Sequence, residues 1–526
     1  MDYITMGHNV DFDQHGRRHR LRTPKLIYVI IAILAIGVIL TLLNIYELHK
    51  MKEDHSMHHS WVSEPEVEGR TGKNAKKMPV VWVTGKKKES GYLKHVYNVF
   101  NRIGYVTGDE NSDWEVLWAH DYPFVSLSKH LSDLKPHQKV NHFPGSGYIT
   151  NKASLAATKM DFIPTAFKMP TDKENFTQYV KKHVDTMWVQ KSNNHRGIEI
   201  KSVKDLNLNL EGTFIQEYVA KPYLIDGRKF DIGVYTILTS INPLRVYTVD
   251  GDVLFRFCAK NYYPFDSKDR AKYVVGDDYT PMWQIPSLKK AFTDMDFSFK
   301  ETFNHHVRET GKDPEKIWSD IKSAILTVYK DKESKLIDAA RKYKSSRNFF
   351  EMVRFDFVLD EDLKIYLMEA NMSPNLSSSH FKENKLLYEH VVFNLLGLVG
   401  LARSVTSNRY ESAVDVINMQ VSDKDISVFP EICSGSCSQS CFKIQCKICH
   451  KCLTVGLKQS LKTAYVEHVN RGSCRRVFPP PIMNQRQALK WTIEKADQTF
   501  HNTHQNNRIM QIWFIGKCRL DASFCI

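Results

Sequence analysis

The stretch that decides the fold runs from Asn348 to Leu376 and reads NFFEMVRFDFVLDEDLKIYLMEANMSPNL. Two runs rich in aromatic and branched residues lie on either side of the acidic turn Asp360-Glu361-Asp362. This pattern predicts an antiparallel β-hairpin, because such residues favour strands and a polar turn separates them. The rest of the chain is expected to fold around this hairpin.

The predicted register fixes which side chains share a face of the hairpin. It sets Asp356 opposite Leu367 and Arg354 opposite Glu369, because antiparallel partners keep a constant index sum. The core face then carries the following apolar residues: Val353, Phe355, Phe357, Leu359, Tyr366, Met368 and Ala370. The other face carries Asp356, Glu369 and Asn371, whose oxygens suit Mg²⁺. The alternative is an ordinary half-buried hairpin with this polar face in water.

Length and charge limit the possible functions. At 526 residues the chain is longer than one ordinary domain, and it is expected to hold several subdomains with additional segments. Its net charge of +14 predicts an acidic partner, which is a nucleic acid, an anionic membrane surface or an acidic protein segment. The sequence has no sustained basic run interleaved with aromatic residues, so no nucleic-acid partner is expected.

Residues 26–46 form an almost wholly apolar run. Its length of about 20 residues matches a membrane-spanning helix and predicts a single-pass anchor. A polar tail at 1–25 precedes this span, and a polar stalk at 47–78 follows it. Basic residues are denser before the span than after it, so the N-terminus is predicted to be cytoplasmic. The remainder of the chain is then expected in a lumen or outside the cell.

The middle of the chain places charged residues at the ends of predicted strands. A strand at 187–190 ends in Lys191 beside a short flexible loop, where a lysine can meet phosphates as a mobile point charge. The following stretch is predicted as four strands joined by Gly or Pro turns: 213–219, 229–239, 244–249 and 253–258. Lys152 begins a predicted helix at 152–159 and is interpreted as a solvated helix residue.

The run from Asp356 through LMEANMSPNL resembles the metal-binding end of the tubulin tyrosine ligase-like family. This family is an ATP-grasp group that joins an amino acid to a carboxyl group. The resemblance covers residues 79–401 and implies a mixed α/β (α+β) ATP-grasp fold, with a cysteine-rich extension at 402–526. It also implies that Asp356, Glu369 and Asn371 hold the Mg²⁺ of ATP.

The resemblance extends to the nucleotide site. The segment from Gln216 to Val219 matches the linker that contacts adenine through its backbone. Lys229 and Asp231 are expected near the phosphates and ribose, and Arg256 with Lys229 at the reacting end. The cofactor-binding residues that the resemblance implies are Lys191, Arg196, Gly197, Gln216, Glu217, Tyr218, Val219, Lys229 and Asp231.

The chain departs from the family pattern at several positions. After the run KFD at 229–231 the family has Leu or Val and then Arg, whereas this chain has Ile232 and Gly233. The run DDYT at 277–280 replaces threonine-asparagine-tyrosine-serine, and the loop at 192–197 is one residue shorter. The change to glycine removes a cation expected near the transferred phosphate. Loss of one such contact commonly lowers a rate by about 100-fold.

Nine of the ten cysteines follow residue 430. Six of them lie between residues 433 and 452, with spacings compatible with a zinc site. Disulfide bridges are the competing interpretation, and they are favoured because a luminal domain lies in an oxidising compartment. The connectivity of the bridges does not follow from the sequence.

The function implied by the resemblance is an ATP-dependent ligase of the tubulin polyglutamylase type. It adds glutamate to glutamate side chains of tubulin tails through an acyl phosphate, with ATP and Mg²⁺ as cofactors. Free glutamate and the acidic tails are its partners, which suits the basic chain. The alternative is a membrane-anchored, weakly active or inactive ATP-grasp pseudoenzyme that acts as a binding module, possibly in a secretory lumen. Since a luminal domain conflicts with a tubulin substrate, the side of the membrane stays open.

Overall fold

The computed structural model of this chain describes residues 78–86, 88, 91–192, 198–276, 278–402 and 413–525. The predicted tail, membrane span and all but the last residue of the predicted stalk lie outside these ranges. All the elements below belong to one compact unit.

The predicted localisation as a single-pass membrane protein is not supported, and we withdraw it. In the part of the chain that the structure describes, no helix is both long enough and apolar enough to cross a bilayer. The prediction rested on residues 26–46, which lie outside that part.

A four-stranded parallel sheet begins the described chain. Its strands, in the order β2-β1-β3-β4, are β1 (Val80–Thr84), β2 (Val106–Gly108), β3 (Val116–Ala119) and β4 (Lys139–Val140). The helices that lie between or directly after these strands in the chain are α1 (Lys94–Arg102), α2 (Pro123–Ser126), α3 (Ser128–Leu131), α4 (Gly147–Thr150) and α5 (Lys152–Ala156). Buried apolar residues fill β1 and β3, as their near-continuous apolar sequences predict for a covered parallel sheet.

A second sheet has four antiparallel strands. In the order β5-β8-β6-β7 it contains β5 (Ala166–Met169), β6 (Trp188–Ser192), β7 (Glu199–Lys201) and β8 (Thr213–Glu217). Helix α6 (Lys173–Val180) covers it, and the rings of Phe176 and Trp188 meet edge to face at 5.0 Å. The strands predicted on either side of the short loop are therefore present, and β6 carries Lys191.

The third and largest sheet holds the predicted hairpin. Its strands are β9 (Phe230–Ile241), β10 (Leu244–Val249), β11 (Leu254–Phe257), β12 (Glu351–Leu359), β13 (Ile365–Asn371) and β14 (Cys474–Phe478). They run in the order β13-β12-β9-β10-β14, with β11 also paired to β9. Helices α7 (Pro286–Thr293), α8 (Phe299–Glu309) and α9 (Pro314–Ala340) connect β11 to β12, and α10 (Asn384–Leu398) follows β13. The mixed α/β architecture is confirmed.

The register of the hairpin differs from the prediction by two residues at its polar end. Asp356 pairs with Glu369, and Arg354 pairs with Asn371. A β-bulge between Asp356 and Phe357 shifts the pairing along the strand. An even shift keeps every residue on its face, so the polar face is as predicted. All nine residues of β12 are buried, which contradicts the alternative of a polar face in open water for this strand.

Nearer the turn, the register differs by one residue and the face assignment is wrong. Leu359 pairs with Ile365, and both are buried. Tyr366 and Met368, predicted for the core, are only half-buried, whereas Ile365 and Leu367 enter the core. The bulge is the cause, because one extra residue in a strand exchanges its two faces.

The C-terminal extension forms its own apolar cluster and also joins the largest sheet through β14. Its helices are α11 (Ala413–Gln420), α12 (Pro430–Ser434), α13 (Val455–Val469), α14 (Gln485–Leu489), α15 (Ile493–Thr499) and α16 (Gln505–Leu520). Disulfides, rather than zinc, join the following pairs: Cys433–Cys449, Cys437–Cys446, Cys441–Cys452 and Cys518–Cys525. The preference for bridges is therefore confirmed. The domain boundary at 401 stays a prediction.

A buried ion pair connects this extension to the sheet. Arg245 of β10 donates to both carboxylate oxygens of Glu467 on α13, at 2.8 and 3.0 Å. The hydroxyls of Tyr247 and Thr239 donate to the same carboxylate at 3.0 and 3.1 Å. Both charged side chains are only 4% exposed. The carboxylate is therefore well satisfied, and its removal leaves an isolated buried guanidinium.

Replacing this carboxylate is expected to destabilise the protein strongly. In Glu467→Ala the Arg245 guanidinium stays buried without its partner, so the free energy of unfolding should fall by about 3–5 kcal/mol. Urea denaturation of the full-length chain measures the change. Glu110→Ala, at an exposed position, is the matched control and should shift the free energy by less than about 0.5 kcal/mol. Equal effects in the two variants would contradict a structural role for the pair.

Candidate active site

Four neighbouring strands of the largest sheet carry polar residues on one face. Asp231 of β9 lies directly opposite Arg256 of β11. Asp356 of β12 pairs with Gly233 of β9 on one side and with Glu369 of β13 on the other. Opposite residues on adjacent strands share a face, so the pairing brings residues distant in sequence into one row.

Asp356 is the centre of this row. Both its oxygens accept hydrogen bonds from Arg354, with Nε to Oδ1 at 2.6 Å and Nη2 to Oδ2 at 2.8 Å. Arg256 and Asn371 also donate to Oδ2, at 3.2 and 2.9 Å. Arg256 forms a second bidentate pair with Asp231, at 2.9 and 2.7 Å. Burial opposes the charge of Arg354, but Asp356 outweighs it and raises the pKa of this arginine well above its ordinary value.

Glu369 lies at the more accessible end of the row and pairs with a lysine at the start of helix α5, which packs against strand β13. The Nζ of Lys152 lies 2.6 Å from Glu369 Oε2, and Asn371 Nδ2 donates to Oε1 at 2.9 Å. Burial alone would raise the pKa of Glu369, but Lys152, Asn371 and Arg256 outweigh it and hold the pKa far below its ordinary value. The interpretation of Lys152 as a solvated helix residue is therefore wrong. It begins helix α5 and points its ammonium into the site.

Two further lysines lie near this row in surroundings that disfavour their charge. Lys191 donates from Nζ to the side-chain oxygen of Gln216 at 2.9 Å, and burial lowers the pKa of this lysine to about 8. Lys229 donates to the carbonyl of Tyr273 at 3.1 Å and lies 4.9 Å from the ring centre of Tyr218. Burial also lowers the pKa of Lys229. Both lysines therefore gain from an anion that restores their charge.

The predicted adenine linker continues from strand β8. Gln216 is only 1% exposed. The backbone N–H groups of Glu217 and Tyr218 donate to the carbonyls of Thr165 and Met187, both at 2.9 Å. These two donors are already satisfied by neighbouring backbone carbonyls and are not open to an adenine ring. The assignment of this segment stays a prediction.

Some predicted positions lie outside this cluster or outside the described residues. Arg196, Gly197 and the first residue of the DDYT run lie outside the described residues. Asp278 is exposed, so its carboxylate is not buried with the ion pairs. The hydroxyl of Tyr279 accepts a hydrogen bond of 2.6 Å from Asn384, at the start of helix α10.

The sequence interpretation did not assign Lys152 or Arg354 to the site. Arg354 had a recognisable signal, because it is a cation within an apolar strand and lies two residues before Asp356, on the same face. Lys152 had no such signal, since its partner is more than 200 residues away in sequence. Its role depends on how helix α5 packs against strand β13.

The charges of the row are balanced, and the nearby lysines add a positive surplus. The anions and cations in contact are Asp231, Asp356, Glu369, Lys152, Arg256 and Arg354. Three carboxylates thus meet three cations, and Lys191 with Lys229 supplies the surplus. Such a site favours a polyanion such as a nucleotide phosphate chain.

The predicted metal ligands fit a hard divalent cation in their chemistry. A single nitrogen of Asn371 donates to both Asp356 and Glu369, which brings the two carboxylates to one point. Carboxylate and amide oxygens are the ligands that Mg²⁺ prefers. Across the described ranges, however, no group of three or more His, Cys, Asp or Glu side chains is arranged as a metal site. The Mg²⁺ assignment to Asp356, Glu369 and Asn371 stays a prediction.

Several known proteins resemble this chain in sequence over much of its length. The model of the tubulin-tyrosine ligase family matches residues 129–408. A probable tubulin polyglutamylase of Caenorhabditis elegans is 38% identical over 470 residues, which is 86% of this chain and 88% of the worm protein. A tubulin polyglutamylase of Danio rerio is 29% identical over 322 residues, covering 56% of this chain and 40% of the fish protein. A human tubulin polyglutamylase is 26% identical over 435 residues, covering 76% and 48%.

The chain therefore belongs to the tubulin-tyrosine ligase family, and the resemblance drawn from its sequence motifs is confirmed. The matched residues include the whole of the row on the largest sheet together with Lys152.

The lowered pKa of Lys191 predicts a pH dependence of nucleotide binding. In the free protein this lysine is charged below about pH 8 and loses its proton above it. If it contacts phosphate, affinity for ATP should fall as the pH rises through that value, by up to about tenfold per unit. Isothermal titration calorimetry between about pH 6.5 and pH 9.5 measures this profile.

Two variants test the assignment of that pH dependence to Lys191. Lys191→Arg keeps its charge over the whole range, so its affinity for ATP should fall less steeply near pH 8 than that of the wild-type protein, and the remaining slope comes from Lys229, whose pKa is also lowered. Lys173→Arg, an exposed site on helix α6, should keep the wild-type profile. A wild-type slope in Lys191→Arg would contradict a phosphate contact.

Proposed function

We propose that this protein is an ATP-grasp ligase that adds glutamate to glutamate side chains of tubulin tails. The observation that carries the proposal is the row of paired charges across four strands, from Arg256 and Asp231 to Asp356 and Glu369. Membership of the tubulin-tyrosine ligase family supports an ATP-dependent ligase. Relatives named as tubulin polyglutamylases support the choice of glutamate and tubulin. The chain's charge of +14 suits an acidic tail.

The proposed reaction has two steps. The terminal phosphoryl group of ATP passes to a glutamate carboxylate of the tail, which gives an acyl phosphate and ADP. The neutral amine of free glutamate then attacks the acyl carbon, the carbon–oxygen bond to phosphate breaks, and the amine proton passes to the departing phosphate as the isopeptide bond forms. Both steps develop negative charge on phosphate oxygens, so fixed cations near those oxygens lower the barrier.

The residues of the row have separate tasks in this reaction. Lys191 and Lys229 bind the phosphate chain, because a bound anion restores the charge that burial disfavours. Arg256, with Lys229, faces the transferred phosphoryl group, and its bidentate pair with Asp231 fixes the guanidinium plane. The linker from Gln216 to Val219 holds the adenine ring.

Mg²⁺ would be held by Asp356, Glu369 and Asn371, where it would offset phosphate charge and orient the phosphates. The residues themselves prepare this position. Asn371 draws the two carboxylates together, and Lys152 keeps Glu369 ionised by lowering its pKa.

The alternative function, an inactive membrane-anchored binding module, is not supported by these findings. The relatives over which the chain aligns are named as polyglutamylases and monoglutamylases. The cation that the glycine at 233 was expected to remove has a counterpart in Arg354, which lies on the adjacent strand and contacts Asp356, the residue paired with Gly233.

Incorporation of labelled glutamate into tubulin by the full-length chain tests the proposal. With ATP and Mg²⁺ the wild-type protein should label tubulin, whereas Glu369→Gln should lose about 100-fold or more of the rate, because it removes a charged ligand of the site. Glu494→Gln, an exposed position on α15, is the matched control and should keep the wild-type rate. A folded wild-type protein that binds ATP and labels no tubulin would overturn the proposal.

A further inference from the structure

We infer that Arg354 and Gly233 act as one unit, in which Arg354 extends across the space above Gly233 and positions Asp356 for the reaction. The inference deepens the proposed function and rests on it for its catalytic part. It assigns a positioning role to a residue that the sequence motifs did not single out, and it explains the glycine that stands where the family has an arginine.

The two residues lie diagonally across adjacent strands. Gly233 of β9 pairs with Asp356 of β12, and Arg354 pairs with Tyr235, one step further along the same face. From that position the Arg354 side chain turns back toward Gly233 and contacts Asp356 through both guanidinium donors. Diagonal neighbours on a sheet are within reach of a side chain of this length.

Position 233 needs a glycine because of the neighbouring Arg354 side chain, and not because of its backbone conformation. Its φ is not in the left-handed region, so an ordinary residue could adopt the strand conformation. However, a Cβ at this position would lie 2.8 Å from Cδ of Arg354, 3.2 Å from its Nε and 3.2 Å from Oδ1 of Asp356. Any side chain at 233 must therefore displace the arginine stem or the carboxylate.

The side chain of Arg354 is almost as deeply buried as that of its partner Asp356. Arg354 is 5% exposed and Asp356 is 2% exposed. A bidentate pair of this kind fixes both the position and the plane of the carboxylate, which a lysine at 354 cannot reproduce. The same carboxylate accepts from Asn371, which in turn donates to Glu369. Arg354 thus sets the geometry of both carboxylates that are proposed to hold Mg²⁺.

The unit also preserves the charge of the site. Without Arg354, the three carboxylates of the row would face only Lys152 and Arg256. A guanidinium carried by position 233 would enter the same space from β9 instead of β12. The two arrangements therefore compete for one space, because a Cβ at 233 already lies 2.8 Å from Cδ of Arg354.

Exchanging the two residues in the full-length chain tests this inference. Gly233→Arg alone forces two guanidinium stems into one space, and Arg354→Gly alone leaves Asp356 without its bidentate partner. Each should lower kcat/KM for tubulin glutamylation by about 100-fold or more. The double variant Gly233→Arg/Arg354→Gly restores one arginine and one glycine, so it should recover to within about tenfold of the wild-type value, a strongly non-additive result.

A chemical rescue gives a second readout that a purely structural role would not move. In Arg354→Gly the vacated space should accept free guanidinium, so millimolar guanidinium chloride should raise kcat in a saturable manner, while sodium chloride should not. Arg354→Lys keeps the positive charge but loses the two parallel guanidinium donors, and it should lower kcat more than it changes KM for ATP. Arg341→Gly, at an exposed helix end, is the control and should keep the wild-type kcat without a response to guanidinium.

The outcomes separate this inference from the proposed function. If the wild-type protein labels no tubulin, the proposed function fails, and the shift in unfolding temperature caused by ATP with Mg²⁺ becomes the readout of the four-variant cycle. Recovery of that shift in the double variant would still support the unit. A double variant that remains as impaired as the worse single variant, together with no guanidinium rescue of Arg354→Gly, would overturn it. If the double variant does not fold, the rescue alone decides.

Discussion

The bidentate pair between Arg354 and Asp356 is the constraint on which the centre of the structure depends. It lies in the interior of a sheet, where a charge is tolerated only with a partner and satisfied hydrogen bonds. Arg256 bridges from Asp356 to Asp231, which extends the network over three strands. Because each charge in the network needs its neighbour, the strands cannot slide relative to one another without leaving a buried charge unpaired.

Features with short sequence range were predictable. Alternation with period two revealed the hairpin and placed Asp356, Glu369 and Asn371 on one face. The cysteine count favoured bridges, although their connectivity, in which Cys437–Cys446 lies within Cys433–Cys449, came only from the structure. A family resemblance supplied the order of the nucleotide segments, which no periodicity could have given.

Features that depend on contacts between distant segments were not predictable. No glycine or proline marks the bulge after Asp356 in the sequence. The predicted register near the turn and the predicted face of Tyr366 were therefore wrong. Lys152 gave no sign of its pairing with Glu369, because that contact joins segments more than 200 residues apart in sequence. The meaning of Gly233 was likewise hidden. In the sequence, Gly233 suggested only that a cation had been lost. The structure shows that Arg354 of the adjacent strand places a cation beside it.

The C-terminal extension has a consequence beyond its own core. Strand β14 covers the outer side of β10, whose six residues LRVYTV are all buried. A chain shortened at residue 401 would present that strand with a row of unpaired backbone groups on a largely apolar segment. Such an edge is a template for pairing with another copy and for aggregation. The extension thus serves as a protective cover for the sheet that carries the site, and the disulfides hold part of that cover in shape.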